Sequence, residues 1–239
     1  MNSLESGVWS LESGVESMNL SLTPDSRLQT PDFNRVAAVL LAAGRSRRMG
    51  AFKPLLPFGN RSVVEACIGN LLEGGVEEIV VVAGHRAEEM RERLAQLPVR
   101  FAVNAETESE MGVSIARGVE QIGLGAEAVF IALVDQPAIP PEVIRLLIAE
   151  RRRTGVRLIQ PEREGRGGHP VLIDLSFREE LLSLDPQRGL RALFETYRDT
   201  VSRVPIASPY VVRDMDTWDD YRALYREVFG TGPPENNRQ

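Results

Sequence analysis

The sequence predicts an α/β fold, a mostly parallel β-sheet with helices on both faces. Three observations predict it. Short continuous apolar runs, which mark strands buried on both faces, alternate with amphipathic segments at helical spacing from Val36 to Arg152. Glycines, prolines and charged clusters punctuate that alternation where turns are needed. At 239 residues the chain is long enough for one substantial domain and short for two.

The elements follow in order. Val36 to Leu41 reads as the first buried strand and runs out in Ala42-Ala43-Gly44; a polar loop continues to Gly59. Ser62 to Glu73 has helical spacing and stops at Gly74-Gly75. Ile79 to Ala83 is a second buried strand, Ala87 to Leu97 a charged amphipathic helix, and Val99 to Val103 a third strand. Val113 to Ile122 reads as helix, and Ala128 to Val134 as a strand ending at Asp135. Pro140 and Pro141 open a helix to about Arg152, where a first turn tolerates proline. Beyond it the pattern loosens. Leu158 to Gln160, Val171 to Ile173 and Val201 to Ile206 are short strands, while Leu190 to Tyr197 and Trp218 to Phe229 are helices. Strand alternating with helix is the pattern of a parallel sheet covered on both faces.

Residues 35–230 are therefore expected to form the domain. Residues 1–34 contain a repeat, Ser3 to Val8 recurring at Ser10 to Val15, in a Ser-, Glu- and Gly-rich setting that predicts a disordered tail or translated sequence upstream of a start at Met18. Residues 231–239 are Gly-, Pro- and Asn-rich and are expected to be disordered too. The net charge of −6, with no basic block, argues against nucleic acid as a partner. No apolar run spans a bilayer and no signal peptide is evident, so a membrane role is not expected. The single cysteine, Cys67, lies in an apolar helical stretch and reads as core; low cysteine use fits a cytoplasmic location.

In an open α/β sheet, ligands bind at the carboxyl ends of the strands. The loop there runs from Leu41 through Ala42, Ala43, Gly44, Arg45, Ser46, Arg47, Arg48, Met49 and Gly50 to Lys53. The small residues allow close approach to the backbone, whose N–H groups can form an anion nest. Arg45, Arg47, Arg48 and Lys53 surround it with positive charge, so a triphosphate is the expected guest. The loop is neither a Walker A loop nor a G-x-G-x-x-G fingerprint.

From Leu41 to Leu56 the loop resembles the signature L-A-A-G-x-S-x-R-M-G-x-x-K-x-L-L of the MobA-like NTP transferases, on the branch of molybdenum cofactor cytidylyltransferase. The resemblance extends over roughly Arg35 to Phe229. It implies a Rossmann-like three-layer sandwich of the nucleotide-diphospho-sugar transferase type, a bound nucleoside triphosphate and Mg²⁺. Arg48 and Lys53 fall where the family holds phosphates. Related guanylyltransferases carry Leu-Ala-Gly-Gly at the loop start and Met-Gly-Gly-x-Asp-Lys later. Ala43 and the stretch Met49 to Lys53 follow the cytidylyl pattern, and the Ala43 methyl would crowd a purine more than a pyrimidine.

Asp135, in Asp135-Gln136-Pro137, ends a strand facing the same crevice; a hard Mg²⁺ ligand and a turn carboxylate are its two readings, and the family's Asp-Gln-Pro favours the metal. Asp214 and Asp216 alternate onto one face of an extended segment and are candidates to complete the metal site. Helix capping by Thr217 or Asp216 is the other reading. The resemblance assigns Asn104 and Ser114 to nucleotide or acceptor contact, with Ser114 expected at a helix start. It assigns Gly168, His169 and Pro170 to an acceptor-side turn; His85 reads as structural. Asp185, Gly189 and Arg191 partly preserve a Gly-Asp-x-Gly-Ala-Arg segment on the acceptor side, with its small residues replaced.

The implied reaction is attack by an acceptor phosphate on the α-phosphorus of CTP, with pyrophosphate leaving. The implied acceptor is molybdopterin, the product a cytosine dinucleotide cofactor, and a client molybdoenzyme is a further implied partner. A sugar phosphate as acceptor, and a nucleotide-binding chaperone without turnover, are the alternatives.

Overall fold

The computed structural model describes residues 35–44, 48–105, 110–185 and 187–234. The expected tail 1–34, Arg45, Ser46 and Arg47 of the loop, and residues 235–239 lie outside these.

The strands are β1 (Val36–Ala42), β2 (Pro57–Phe58), β3 (Arg61–Ser62), β4 (Glu78–Ala83), β5 (Val99–Val103), β6 (Ala128–Leu133), β7 (Leu158–Arg163), β8 (Arg166–Gly167), β9 (Val171–Asp174) and β10 (Val201–Pro205). The helices are α1 (Val63–Glu73), α2 (Ala87–Arg93), α3 (Met111–Glu120), α4 (Pro141–Thr154), α5 (Arg178–Leu182), α6 (Leu190–Thr196) and α7 (Trp218–Phe229). The main sheet has the order β10-β7-β9-β6-β1-β4-β5, with β8 paired to β7. Strands β6, β1, β4 and β5 are parallel, whereas β9 runs antiparallel to both β6 and β7.

Every residue of β1 is buried, and its side chains divide between two cores. Val36, Ala38, Leu40 and Ala42 face a cluster with α1, α2, α4 and α7, while Ala37, Val39 and Leu41 face one with α3, α5 and α6. The result is the expected three-layer α/β sandwich with a mostly parallel sheet. Short-range chemistry fixes the helix starts. Ser62 and Glu65 form a capping box on α1, and Thr217 and Asp220 form one on α7.

Some boundaries differ from expectation. Helix α2 ends at Arg93, because Leu94 to Leu97 continue as turns that bring the chain into β5. Helix α3 starts at Met111, earlier than Val113, so Ser114 lies inside the helix rather than at its start. The β2–β3 hairpin and α5 were not anticipated, since such short elements carry too few residues to display a period.

The chain winds from β1 outward through β4 and β5, then crosses back to β6 on the other side of β1. The crevice beyond the carboxyl ends of β1 and β6 is therefore the topological switch point of the sheet. In register, Ala42 pairs with Ala83 and Leu41 with Leu133, which brings the loops after β1, β4 and β6 together.

Helix α3 approaches this sheet closely at Gly118, where an added Cβ would lie 2.4 Å from Val39 Cγ1 and 2.9 Å from Val82 Cγ2. Gly118→Val is expected to destabilise the protein by about 1–3 kcal/mol through overpacking, read as a lower urea midpoint. An unchanged midpoint would contradict this packing.

Candidate active site

The loop after β1 and the segment before α7 meet over the end of β6. Lys53 opens a short 3-10 turn, Lys53–Leu55, and its side chain is almost fully buried. Its Nζ lies 3.1 Å from Asp216 Oδ1 and 3.6 Å from Asp135 Oδ2. Arg48, largely exposed, donates to Asp216 Oδ2 at 2.9 Å. Asp214 Oδ1 accepts a bond of 2.8 Å from Gln136 Nε2. Met215, between the two aspartates, is fully buried, and its N–H donates to the Asp135 carbonyl at 3.0 Å. Alternation thus turns both carboxylates away from the core, as expected.

The electrostatics of Asp135 reflect this crowding. Burial pushes its carboxyl above the usual range, Lys53 pulls it down, and the charges of Asp214 and Asp216 push it up again. Its Oδ1 is buried with no hydrogen-bond partner, as is Gln136 Oε1. A buried carboxylate oxygen without a partner is costly, and it is the kind of hard donor that suits a divalent cation. Among the described residues, two cations, Arg48 and Lys53, face the carboxylates of Asp135, Asp214 and Asp216. Among the described residues no three His, Cys, Asp or Glu side chains are gathered as a ready metal cage. Lys53 instead stands between Asp135 and Asp216.

The other anticipated residues sit around this centre. Leu41 and Ala42 are buried at the end of β1, while Gly44 is exposed, with nothing within 4 Å of where a Cβ would stand. Met49 packs its side chain into the core, and Gly50 is exposed. Asn104 and Ser114 are both buried, and Asn104 Nδ2 donates to Ser114 Oγ at 2.8 Å. That bond joins the end of β5 to α3. His85 is exposed and meets Phe52 of the loop edge-on at 6.0 Å, while the Arg86 guanidinium lies 4.5 Å from the centre of the same ring.

The turn from Gly165 to Pro170 crosses the segment that leads to Asp214. An added Cβ on Gly168 would lie 2.1 Å from the Val211 carbonyl, so only glycine fits there. The His169 N–H donates to that carbonyl at 2.9 Å, and the His169–Pro170 peptide is cis. Burial holds the half-buried His169 imidazole below its usual range, against the opposing pulls of its hydrogen bond to the Ile131 carbonyl and the Asp214 charge. His169 is thus on the Asp214 side of the site. Arg191 is not gathered in: it is exposed on α6 and pairs with Glu195 at 2.7 Å, one helical turn on. Asp185 closes a turn by accepting from the N–H groups of Gln187 and Arg188, both at 2.9 Å. Sequence reasoning missed Gln136 and Trp218. Gln136 is buried beside Asp135, and Trp218 Nε1 donates to the Met49 carbonyl at 2.8 Å.

The sequence matches the MobA-like NTP transferase domain over residues 38–201. The chain belongs to the MobA-like NTP transferase family. It is a nucleotidyltransferase by that membership, and Asp214 and Asp216 lie beyond the matched span. Nicotine blue oxidoreductase from Paenarthrobacter nicotinovorans is 31% identical over 201 residues, covering 81% of this chain and 98% of its own length. Molybdenum cofactor cytidylyltransferase from Escherichia coli K12 is 27% identical over 197 residues, with the same 81% and 98% coverage. A solved nucleotidyl transferase from Methanothermobacter superposes with a TM-score of 0.72 at 26% identity, covering 83% of this chain and all of that one. The MobA-like chain therefore has the Rossmann-like nucleotide-diphospho-sugar transferase fold. Among its described residues no helix is long and apolar enough to cross a membrane.

Because the Asp135 carboxyl titrates above its unfolded value, its ionised form weighs against folding at neutral pH. The stability it would otherwise give is present below the unfolded pKa and is lost as pH rises through the folded one. Asp135→Asn is thus expected to raise the melting temperature by a few degrees at pH 7–8, with the gain fading below about pH 4. A variant that melts lower than its parent at neutral pH would contradict this account.

Proposed function

We propose that this transferase is a CTP-dependent cytidylyltransferase acting on a molybdopterin-type phosphorylated acceptor. The observation that carries the reading is the Lys53 ammonium bridging Asp135 and Asp216 beneath the Leu41–Lys53 loop. The site holds the parts needed for a triphosphate and a divalent cation, but bound to one another. Because Asp135 and Asp216 hold the cation that would meet its phosphates, nucleotide is expected to enter with its counter-ion. A divalent cation, assigned as Mg²⁺, would be held by Asp135 with Asp216 or Asp214 and would neutralise phosphate charge and orient the α-phosphate.

The remaining work belongs to the chain. Lys53 and Arg48 turn from Asp216 to the phosphates and stabilise charge there. Ala43 and Gly44 let the nucleotide lie against the backbone, and the Ala43 methyl favours a cytosine over a guanine. The acceptor phosphate is already ionised at neutral pH, so no strong general base is required. Its oxygen attacks the α-phosphorus, the bond to the bridging α–β oxygen breaks, and the electron pair leaves on pyrophosphate. Positioning is then the main source of rate. The turn at Gly168, His169 and Pro170, beside Asp214, is assigned to the acceptor. Arg191, paired with Glu195, is a weaker candidate for that role. Asn104 and Ser114, bonded to each other, support the floor of the nucleotide site.

Support for the base and acceptor comes from the loop pattern and from the cytidylyltransferase relative.

The test is pyrophosphate release with Mg²⁺ and each of CTP, GTP, ATP and UTP, with and without molybdopterin, in the parent and in Asp135→Ala. CTP-selective release that needs molybdopterin is expected, with a loss of at least about a hundredfold in the variant, the scale of removing one transition-state contact. Release of pyrophosphate with a sugar phosphate in place of molybdopterin would replace the acceptor. No release with any nucleotide and acceptor, while CTP still binds, would favour the nucleotide-binding chaperone without turnover.

A further inference from the structure

We propose that Trp218 is the positioning residue of the nucleotide loop, its indole N–H fixing the Met49 carbonyl while the neighbouring charges change partners. The proposal rests on the functional reading above and deepens it. Among the described residues, two kinds of bond tie the loop to the start of α7 and the segment before it. The first is ionic: Arg48 and Lys53 both grip Asp216. These are the groups that must let go of Asp216 if they are to meet a triphosphate. The second is the 2.8 Å bond from Trp218 Nε1 to the Met49 carbonyl. It is neutral, it falls on the backbone, and no step of the reaction requires it to break. It lies next to Arg48 in the chain, so it holds the register of the loop when the ion pairs exchange.

Trp218 is built to stay put. It is the first residue of α7, between Thr217 and Asp220, the two members of that helix's capping box. Its ring meets Tyr221 edge-on at 5.8 Å, and the Arg222 guanidinium lies 5.8 Å from the ring centre. The Met49 side chain, buried in the core, anchors the accepting residue from the other side. Tyr221 supplies a natural comparison. It lies on the same helix and donates a bond of the same type, from its hydroxyl to the Pro57 carbonyl at 2.7 Å, but in β2, beyond the Leu41–Lys53 stretch.

The experiment compares Trp218→Phe with Tyr221→Phe in the full chain. Each loses one donor and keeps a ring. CTP affinity is measured by calorimetry with Mn²⁺, melting temperature is recorded, and tryptic cleavage at Arg48 is followed without nucleotide. Trp218→Phe is expected to weaken CTP binding about twofold to tenfold, the range of one neutral hydrogen bond, and to speed cleavage at Arg48. Tyr221→Phe is expected to leave both unchanged at a comparable melting temperature. Equal losses of affinity in the two variants, or faster cleavage with unchanged affinity in Trp218→Phe, would overturn the proposal. If the parent binds no nucleoside triphosphate, the functional reading fails by itself. The cleavage comparison then still decides the tether, which equal rates would refute.

Discussion

A buried ammonium between two carboxylates organises this molecule's working end. Lys53 comes from the loop after β1, Asp135 from the end of β6, and Asp216 from the segment before α7. Three distant stretches of chain are drawn together over the switch point of the sheet by complementary charge. Burying any one of these charges alone would be costly. Together they are tolerated, and the arrangement still leaves Asp135 Oδ1 without a partner and its carboxyl harder to ionise than usual. Such an arrangement costs stability, a cost that functional sites commonly carry.

The fold explains why the charges meet there. Parallel pairing of β1 with β4 and β6 brings three loops to one edge, and the reversal of strand order between β1 and β6 opens a crevice among them. Helix α7 then fastens the C-terminal segment across that edge. Tyr221, Tyr225 and Phe229 form a continuous aromatic contact against Phe58 of the β2–β3 hairpin, and Trp218 reaches the loop itself. The last helix is therefore part of the support of the loop after β1, although it lies outside the matched family domain.

Much of this was legible in the sequence, because much of it is local. Buried strands such as β1 and β6 announce themselves as apolar runs, and Ser62, Pro141 and Gly74 mark helix ends by short-range chemistry. The loop residues and Asp135 could be picked out by residue type and position at strand ends. What could not be read depends on contacts distant in sequence. The Lys53–Asp216 bond spans 163 residues, and nothing near either residue signals the other. The bond from the Gln136 amide to Asp214 spans 78 residues, and nothing beside Gln136 signals it. Arg191 looked like an acceptor ligand because of the motif around it, yet an i, i+4 carboxylate, Glu195, takes its charge. The Ser114 hydroxyl, expected at a helix terminus, is sealed inside by Asn104 because α3 begins a few residues early.

In the proposed reaction Lys53 stands where a divalent cation would be held, between Asp135 and Asp216. Calorimetric titration of nucleotide-free parent and Lys53→Met with Mn²⁺ tests it most directly. Mn²⁺ is expected to bind more tightly to Lys53→Met, because Asp135 and Asp216 lose their competing ammonium. Equal or weaker Mn²⁺ binding in the variant would contradict it.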